Sequence, residues 1–589
     1  MPGDWKISGE DYMIEECRGA GGTAGEKGAG EGLGSLSRPG MLGITGLFLL
    51  LYLPFVNKAF HIDDFPFIMF SRMIGWNPFQ AMPIDYDYIG VVLPQFLPYD
   101  TTHPILVPYF IKIVTALFGE NEVALHLAFM IFPLIALFSL MKLNTVLFPG
   151  ARRTAVILAA FFCTLPAFLV NAETVMTDVP TLAFLLLAMA GFFDGLENGS
   201  RGMIWLGSAA LTLSLFCSYQ MLAFVVLLFF YAFLRRKLTL RMAAAIALPL
   251  LILTAWLLVI YEMYDVFPLL KTKLPKATAS IADEIRKGQV HRTLVHKVFS
   301  IFGFIGAAML WVVPFHYALK RTMGKFVLLF LPLLVASYLA IYRLTGYPFA
   351  TNLFFAALVA LGLLAVITLS WMTWQRVRQR DDAWLAVFLL IWVFCVIGYC
   401  IALIPFSSAR YLLPAFPPAL MLLLNDPAWS FTTQGRRIGL ACVLGGSVLF
   451  ALASAYSDYR LADTYRDFAA RTRAFRASGG NTFNVWYIGE WGMHYYMDKA
   501  GARYLHADST EPKAGDYLID PVMPNFWKPE PSVQERLNLF DQQEYRSWLP
   551  LRLFNGRSHA GFYAHFWGML PFAFSSEPDE VFSVYKIVR

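Results

Sequence analysis

From residue 41 to residue 456 the chain repeats one pattern: apolar runs near the length that crosses a bilayer, separated by short charged links. A helix needs about 20 mostly apolar residues to span the hydrocarbon core. The candidates are 41–57, 122–147, 154–171, 178–196, 203–218, 220–234, 241–261, 298–319, 325–342, 351–374, 384–405, 410–425 and 437–456. That predicts about thirteen spans, of which 203–218, 220–234 and 410–425 are the shortest. Composition agrees, with 57% hydrophobic and only 15% charged residues over 589 positions. Soluble domains carry roughly 25% charge, so the expected fold class is a polytopic α-helical membrane protein.

The charges test the count. With the N-terminus inside, the inner links hold Arg152-Arg153, Arg201, Arg235-Arg236-Lys237 with Arg241, Lys320-Arg321 with Lys325, Arg376, Arg378 and Arg380, and Arg436-Arg437. Every alternate link is basic, as the positive-inside rule requires. An odd number of spans then places 457–589 outside. The net charge of +6 sits largely in these links, so it speaks for membrane topology and against nucleic acid as a partner. Residues 1–40 are Gly-rich and polar, the expectation for a disordered inner tail. The six cysteines form no CxxC pair and read as small apolar residues.

Three outer segments depart from plain links. Residues 265–297 carry Lys271, Lys273, Lys276, Arg286, Lys287, Arg292 and Lys297 against Asp265, Asp283 and Glu284. Cations beside spans attract lipid phosphates; a solvated loop is the alternative reading. The first outer loop, 58–121, is aromatic, and its 104–119 portion is apolar but interrupted by Pro108 and Lys112, as in a helix lying in the interface. The tail 457–589 predicts a small α/β domain: a surface helix over 457–476, a strand at 484–489, a helix over 490–499, and strands at 517–519 and 581–585.

Candidate site residues cluster at the outer ends of spans. Asp63 and Asp64 stand side by side where a membrane meets water, and an acid there is a functional candidate by default. Adjacent carboxylates repel, which pushes at least one pKa up and makes a better base. Alternatively Asp64 caps the helix that starts at Phe65-Pro66. His103 could donate to a phosphate, Asp178 stands at the mouth of the 178–196 span, and Arg410 with Tyr411 opens the 410–425 span. Arginine suits phosphate because its fork donates two hydrogen bonds at once. Interface placement, capping and snorkelling, respectively, are the plain alternatives for these three. Glu490 and His494, one turn apart, superficially resemble a metal pair, but two ligands without a third are weak.

The order of these motifs is similar to the GT-C glycosyltransferases. The residues that carry the resemblance are Asp63-Asp64, then Asp100-Thr101-Thr102-His103-Pro104 running to Leu117-Phe118-Gly119-Glu120, then Thr177-Asp178-Val179-Pro180, then Arg410-Tyr411-Leu412-Leu413-Pro414. ArnT-like lipid A aminoarabinose transferases and protein O-mannosyltransferases resemble the chain most, over residues 41 to about 425. The resemblance implies that the first acid, Asp63, is the catalytic carboxylate. In that family the second acid is usually Glu where this chain has Asp64, and ArnT-like enzymes place a lysine near the His103 position. It also implies a polyprenyl-phosphate sugar as donor, with no metal or other cofactor.

The chemistry fits those expectations. A sugar on a phosphate is already activated, so catalysis needs a base for the acceptor hydroxyl and cations for the departing phosphate. Asp63, tuned by Asp64, would be the base; Arg410, His103 and the cations of 265–297, Lys271, Lys273 and Lys276 among them, would serve the phosphate. In-line attack inverts the anomeric centre. The expected function is therefore an inverting glycosyltransferase of a bacterial-type inner membrane, with its site and tail domain outside. Its partners would be the lipid-linked donor, membrane lipids, and an acceptor lipid, glycan or protein. A lipid-linked sugar flippase is the alternative, disfavoured because the acids lie at the outer edge and no internal repeat is visible. An idle scaffold presenting its tail is a third reading.

Overall fold

The structure is a computed structural model that describes residues 38–588, apart from 102, 269–289, 381–382 and 480–481. The 1–37 part of the expected tail, and Lys271, Lys273 and Lys276, lie outside the described residues. Among those residues eight helices are long and apolar enough to cross a membrane, or up to ten if each of two bent pairs is one span. Four shorter apolar helices, Leu106–Phe118, Arg201–Cys217, Tyr219–Leu234 and Arg410–Leu424, complete the helical part. Each of the expected spans coincides with one of these helices. The protein is multi-pass, and the count of thirteen rests on the three shortest.

Local chemistry explains the breaks. Arg152–Cys163 and Pro166–Ala172 meet at 67° because Leu165, extended at φ −68° and ψ 124°, precedes a proline that excludes the helical region for it. The central helix, Asp178–Asn198, is the most enclosed span, with 89% of its apolar window buried. It crosses Arg201–Cys217 where a Cβ on Gly191 would lie 2.8 Å from the Gly207 Cα. Paired small residues let helix backbones approach where packing, and not hydrophobic exclusion, holds helices together. Gly306 and Gly362 repeat the device between Val290–Ala308 and Phe349–Gln379.

The boundary expected at residue 456 falls inside a helix. Gln434–Gly479 is one continuous element of 46 residues, about 69 Å long at 1.5 Å per residue. Neither glycine nor proline interrupts it between Gly446 and Gly479, so it runs on past the apolar stretch. The tail packs around it as a five-stranded sheet in the order Arg503–Tyr504, Val485–Tyr487, Tyr517–Pro521, Glu580–Ile587, Leu537–Tyr545. The first three strands are parallel and Glu580–Ile587 runs antiparallel to both its neighbours. The helix Trp491–Lys499 follows the Val485–Tyr487 strand.

The 58–121 segment, expected as the first outer loop, is built, not loose. It holds the helix Asp64–Met73, a hairpin of Ile84–Tyr88 with Val91–Phe96, and the helix Leu106–Phe118. At 13 residues this last helix is about 20 Å long, too short to cross, in keeping with the expected interfacial segment.

Candidate active site

The site starts at a strained turn. Ile62 is a buried β-branched residue at φ +49°, a conformation such side chains avoid and which persists only when the surroundings enforce it. This turn sends the two adjacent acids in opposite directions. The Asp64 carboxylate is wholly buried. Its Oδ2 accepts from the His61 N–H at 2.9 Å and its Oδ1 from the Val175 N–H at 2.8 Å, tying the loop to the 173–177 segment. Burial pushes Asp64 up to about 7, against the pull of Lys58 and the two N–H donors; Asp63 is the smallest contributor. The pKa elevation expected from acid–acid repulsion is therefore present, but on Asp64 and mainly by desolvation.

Asp63 is 38% exposed. It occupies the N-cap position of Asp64–Met73 without making a capping hydrogen bond. Instead its Oδ2 accepts from Arg410 Nη2 at 2.6 Å, and among the described residues its Oδ1 has no partner. Arg410 is only 6% exposed, with Nη1 3.9 Å from Asp178 Oδ2 and 2.8 Å from Met176 Sδ. Its guanidinium lies 5.1 Å from the Tyr411 ring centroid. Two carboxylates from different segments thus flank one enclosed arginine. His103 adjoins the same recess: desolvation lowers it to about 4 and the Asp63 and Arg410 charges both reach it, and the Phe67 ring packs against it at 5.3 Å. Asp63, His103, Asp178, Arg410 and Tyr411 therefore come together, while Asp64 turns away into the scaffold.

An apolar groove ends on Tyr411 and Pro414 and is lined by Met221, Phe224, Leu227 and Tyr399. Tyr411, whose hydroxyl lies 3.3 Å from Arg410 Nη2, is the residue it shares with the site.

Behind the acids lies a buried polar seam that sequence reasoning missed. Lys58 Nζ sits 2.5 Å from Asp458 Oδ2, both side chains fully buried, and the Tyr563 hydroxyl donates to the same oxygen at 3.0 Å. Full desolvation would neutralise Lys58, yet the Asp458 carboxylate beside it holds its pKa above the ordinary value. Glu173 is buried with neither carboxyl oxygen hydrogen-bonded, and desolvation keeps it protonated far above the usual carboxylate range. Burial lowers His61 to about 4, so this ring is neutral. Lys58 read as an ordinary residue at the end of a span; only the Asp458 helix, four hundred positions away, gives it a role.

The tail domain grips the loop that carries Asp63. Glu490 Oε1 accepts from the Ile89 N–H at 2.8 Å and from the Tyr504 hydroxyl at 2.6 Å. Tyr504 in turn accepts from the Gly90 N–H at 2.8 Å. Gly90 lies at φ +75°, and a Cβ there would come 2.8 Å from Trp527. Glu490 is thus a clamp on the hairpin tip; His494 Nδ1 is 3.6 Å from it, and no cluster of three metal-type ligands occurs among the described residues. The gripped hairpin brings Tyr88, which no local pattern singles out, within electrostatic range of Asp63. The tail also sets Arg410, because the Phe562 carbonyl accepts from the Ala409 N–H at 2.9 Å and His565 Nδ1 accepts from the Ser407 N–H at 3.0 Å.

Residues 102–261 match the family model described as dolichyl-phosphate-mannose-protein mannosyltransferase. The matched segment contains His103 and Asp178 but neither Asp63 nor Arg410. No curated protein sequence matches the chain. Among solved structures, ArnT from Cupriavidus metallidurans bound to undecaprenyl phosphate is 12% identical at a TM-score of 0.42, over 86% of this chain and 96% of that one. The Archaeoglobus fulgidus oligosaccharyltransferase AglB, with an inhibitory peptide and a dolichol-phosphate, is 14% identical at 0.43, over 82% and 69%. The mycobacterial arabinofuranosyltransferase AftD is 12% identical at 0.35, over 94% of this chain but only 40% of its own length. All are GT-C glycosyltransferases, the superfamily that the motif order resembles.

Proposed function

We propose that the chain is an inverting glycosyltransferase that moves a sugar from a polyprenyl-phosphate donor to a hydroxyl or phosphate of an envelope lipid, glycan or protein. The reaction takes place at the outer face of the membrane. The observation that carries this reading is the Asp63 carboxylate, half of it fixed by Arg410 and the other half open to the recess. Asp63 Oδ1 takes the proton of the acceptor hydroxyl as its oxygen attacks the anomeric carbon from the side opposite the phosphate. The sugar–phosphate bond breaks and the phosphate leaves with the electron pair, giving inversion.

Arg410 acts first on Asp63, by orienting it, and second on the phosphate. Asp63, Asp178 and Arg410 together carry one more negative than positive charge, so a departing phosphate needs further cations. The lysines Lys271, Lys273 and Lys276 of the basic outer loop supply them in this reading, and His103 serves the phosphate as a neutral hydrogen-bond donor. The apolar groove that ends on Tyr411 accommodates the donor's isoprenoid chain. The family description for residues 102–261 names a lipid-phosphate sugar, which supports the donor class.

The test is transfer in proteoliposomes from a radiolabelled polyprenyl-phosphate sugar to extracted envelope lipids, glycans or proteins. Labelled product of inverted anomeric configuration is expected. Movement of label across the bilayer without any covalent product would overturn the reading in favour of a flippase.

A further inference from the structure

One edge of the tail domain reaches back along the spans that carry it. The apolar stretch of Gln434–Gly479 ends at Tyr456, because Asp458 and Arg460 follow. Directly after it, Ser457 Oγ donates to the Leu551 carbonyl at 2.8 Å. Leu551–Arg552 pairs antiparallel with Ala573–Phe574, Phe574 opposite Leu551, and the Ser575 N–H donates to the Pro550 carbonyl at 2.8 Å. Just before this ribbon's second strand, Phe572 is buried between two spans, its ring 4.9 Å from Phe450 and 5.4 Å from Phe354. Phe450 precedes Ser457 by about two helical turns, or about 10 Å along the axis. Both partners of Phe572 belong to helices apolar enough to cross a membrane, so the ribbon enters the apolar layer instead of standing above it.

Two large rings on the ribbon's flank face away from the protein. Trp548 is 79% exposed, with its ring 5.7 Å from Tyr456, and Phe574 is 66% exposed, 6.1 Å from Phe354. Exposed apolar surface of this kind marks a docking face, and the spans show what lies against it. Leu449 shares a helix face with Tyr456, as i and i+7, and is itself exposed; Phe349 and Leu353 are exposed beside Phe354. Only 22% of the long helix's apolar window is buried within the protein, which leaves lipid as its cover. The surface that faces lipid on these two spans therefore continues onto the tail. Charge takes no part in it: Arg552 is buried against Asp579 at 3.2 Å, and Arg546 is paired with Glu544 at 2.7 Å. Aromatic rings collect at the level where headgroups meet acyl chains, and an element lying there sinks about 5–10 Å into that boundary.

We propose that the ribbon is a membrane-interface anchor of the tail domain: Trp548 and Phe574 enter the boundary between headgroups and acyl chains in the leaflet on the tail's side, and the bilayer is their partner. The same tail segment carries Phe562 and His565, which hold the Ser407–Ala409 backbone beside Arg410. The anchor thereby fixes the height of the site above the bilayer.

The test is tryptophan fluorescence of the full chain in phosphatidylcholine nanodiscs, with and without bromine on the acyl chains near the headgroup. The chain has 15 tryptophans, so the emission of Trp548 is isolated as wild type minus Trp548→Phe. That difference should lose most of its intensity in the brominated lipid, resist iodide in the water, and be unaltered by added phosphatidylglycerol. Phe574→Trp in the Trp548→Phe chain should behave the same way. Quenching by iodide and not by bromine puts the ribbon in water and overturns the proposal. Insensitivity to both also overturns it, because protein then covers the rings. Quenching by bromine only with phosphatidylglycerol present overturns it in favour of a headgroup-charge site. Should Trp548→Phe misfold, a photoactivatable phosphatidylcholine on the wild-type chain decides: adducts within 546–551 or 572–575 support the anchor, and adducts confined elsewhere overturn it. None of these readouts involves sugar transfer, so the outcome is independent of the reaction assigned above.

Discussion

Lys58→Met removes the cation from a wholly buried ion pair that joins the end of the first span to the long 434–479 helix. The buried Asp458 carboxylate then loses the ammonium at 2.5 Å and keeps, among the described residues, the Tyr563 hydroxyl and the neutral His61 ring at 4.0 Å. Breaking a buried pair by removing one partner costs about 3–5 kcal/mol. The surviving hydrogen bond to a charged group, itself worth about 1.5–3 kcal/mol, puts this case at the lower end, about 3 kcal/mol. An unfolding entropy of about 2.1 cal/mol/K per residue converts that to a melting midpoint lowered by roughly 2–3 °C if the whole chain unfolds together. If the tail region opens alone, its smaller entropy enlarges the shift to roughly 10 °C. Thermal unfolding in detergent, read by intrinsic fluorescence and by size-exclusion recovery, measures it. Lys58→Met/Asp458→Asn should recover most of the loss, because asparagine still accepts from Tyr563 but carries no charge to strand. A single variant that melts with wild type, or a double variant no better than the single, would refute the argument that this pair fastens the tail to the loop that carries Asp63.

Other perturbations probe the remaining contacts. Gly90→Ala places a Cβ against Trp527 at a positive φ, which costs about 1–2 kcal/mol in backbone strain before any clash; faster hydrogen exchange over 84–96 is expected, and unchanged protection would discount the clamp. Asp64 is held near 7 by burial, from an ordinary 3.8. Between those values the folded chain keeps a proton that the unfolded chain releases, so stability falls as pH rises from about 4 to about 7. Asp64→Asn should flatten that part of the melting curve against pH, and an unaltered slope would contradict the assigned burial. Arg410→Ala frees Asp63 to rotate and removes contacts to a charged group worth about 1.5–3 kcal/mol, so transfer should drop roughly 10–100-fold. Normal turnover would leave Arg410 as a structural residue.

Much of this was written in the chain at short range. Twenty-residue apolar runs, alternating basic links, and Pro or Gly at the breaks gave the helices, their order and the shortness of the 106–118 helix. The acids and Arg410 could be singled out because charge is scarce at span ends and each charge there needs a reason. Their division of labour was not legible. Asp63 and Asp64 are identical in composition and neighbours in sequence; only the left-handed turn at Ile62 sends one to solvent and the other to the Val175 N–H. Long-range partners were equally hidden. Nothing local to Lys58 points to Asp458, nor anything near Ile89 to Glu490, because both pairings depend on how the tail domain folds back. The strand Leu537–Tyr545 escaped because, as a sheet edge, it lacks an alternating apolar face. The helix running through residue 456 was missed because the hydropathy drop was read as a break, whereas helices end at capping residues and breakers, not at changes of polarity.

The central claim is that Asp63 is the base. Asp63→Asn keeps the side-chain size and an oxygen for the Arg410 hydrogen bond, and removes only the charge that accepts a proton. The initial rate of sugar transfer from a polyprenyl-phosphate donor, measured side by side for wild type and Asp63→Asn at matched reconstitution, tests it most directly. The account predicts a fall of about 10²–10⁴, the range of general acid–base catalysis, with melting temperature and donor binding near wild type. Transfer at the wild-type rate would contradict it and leave Asp63 as no more than a partner that keeps Arg410 in place.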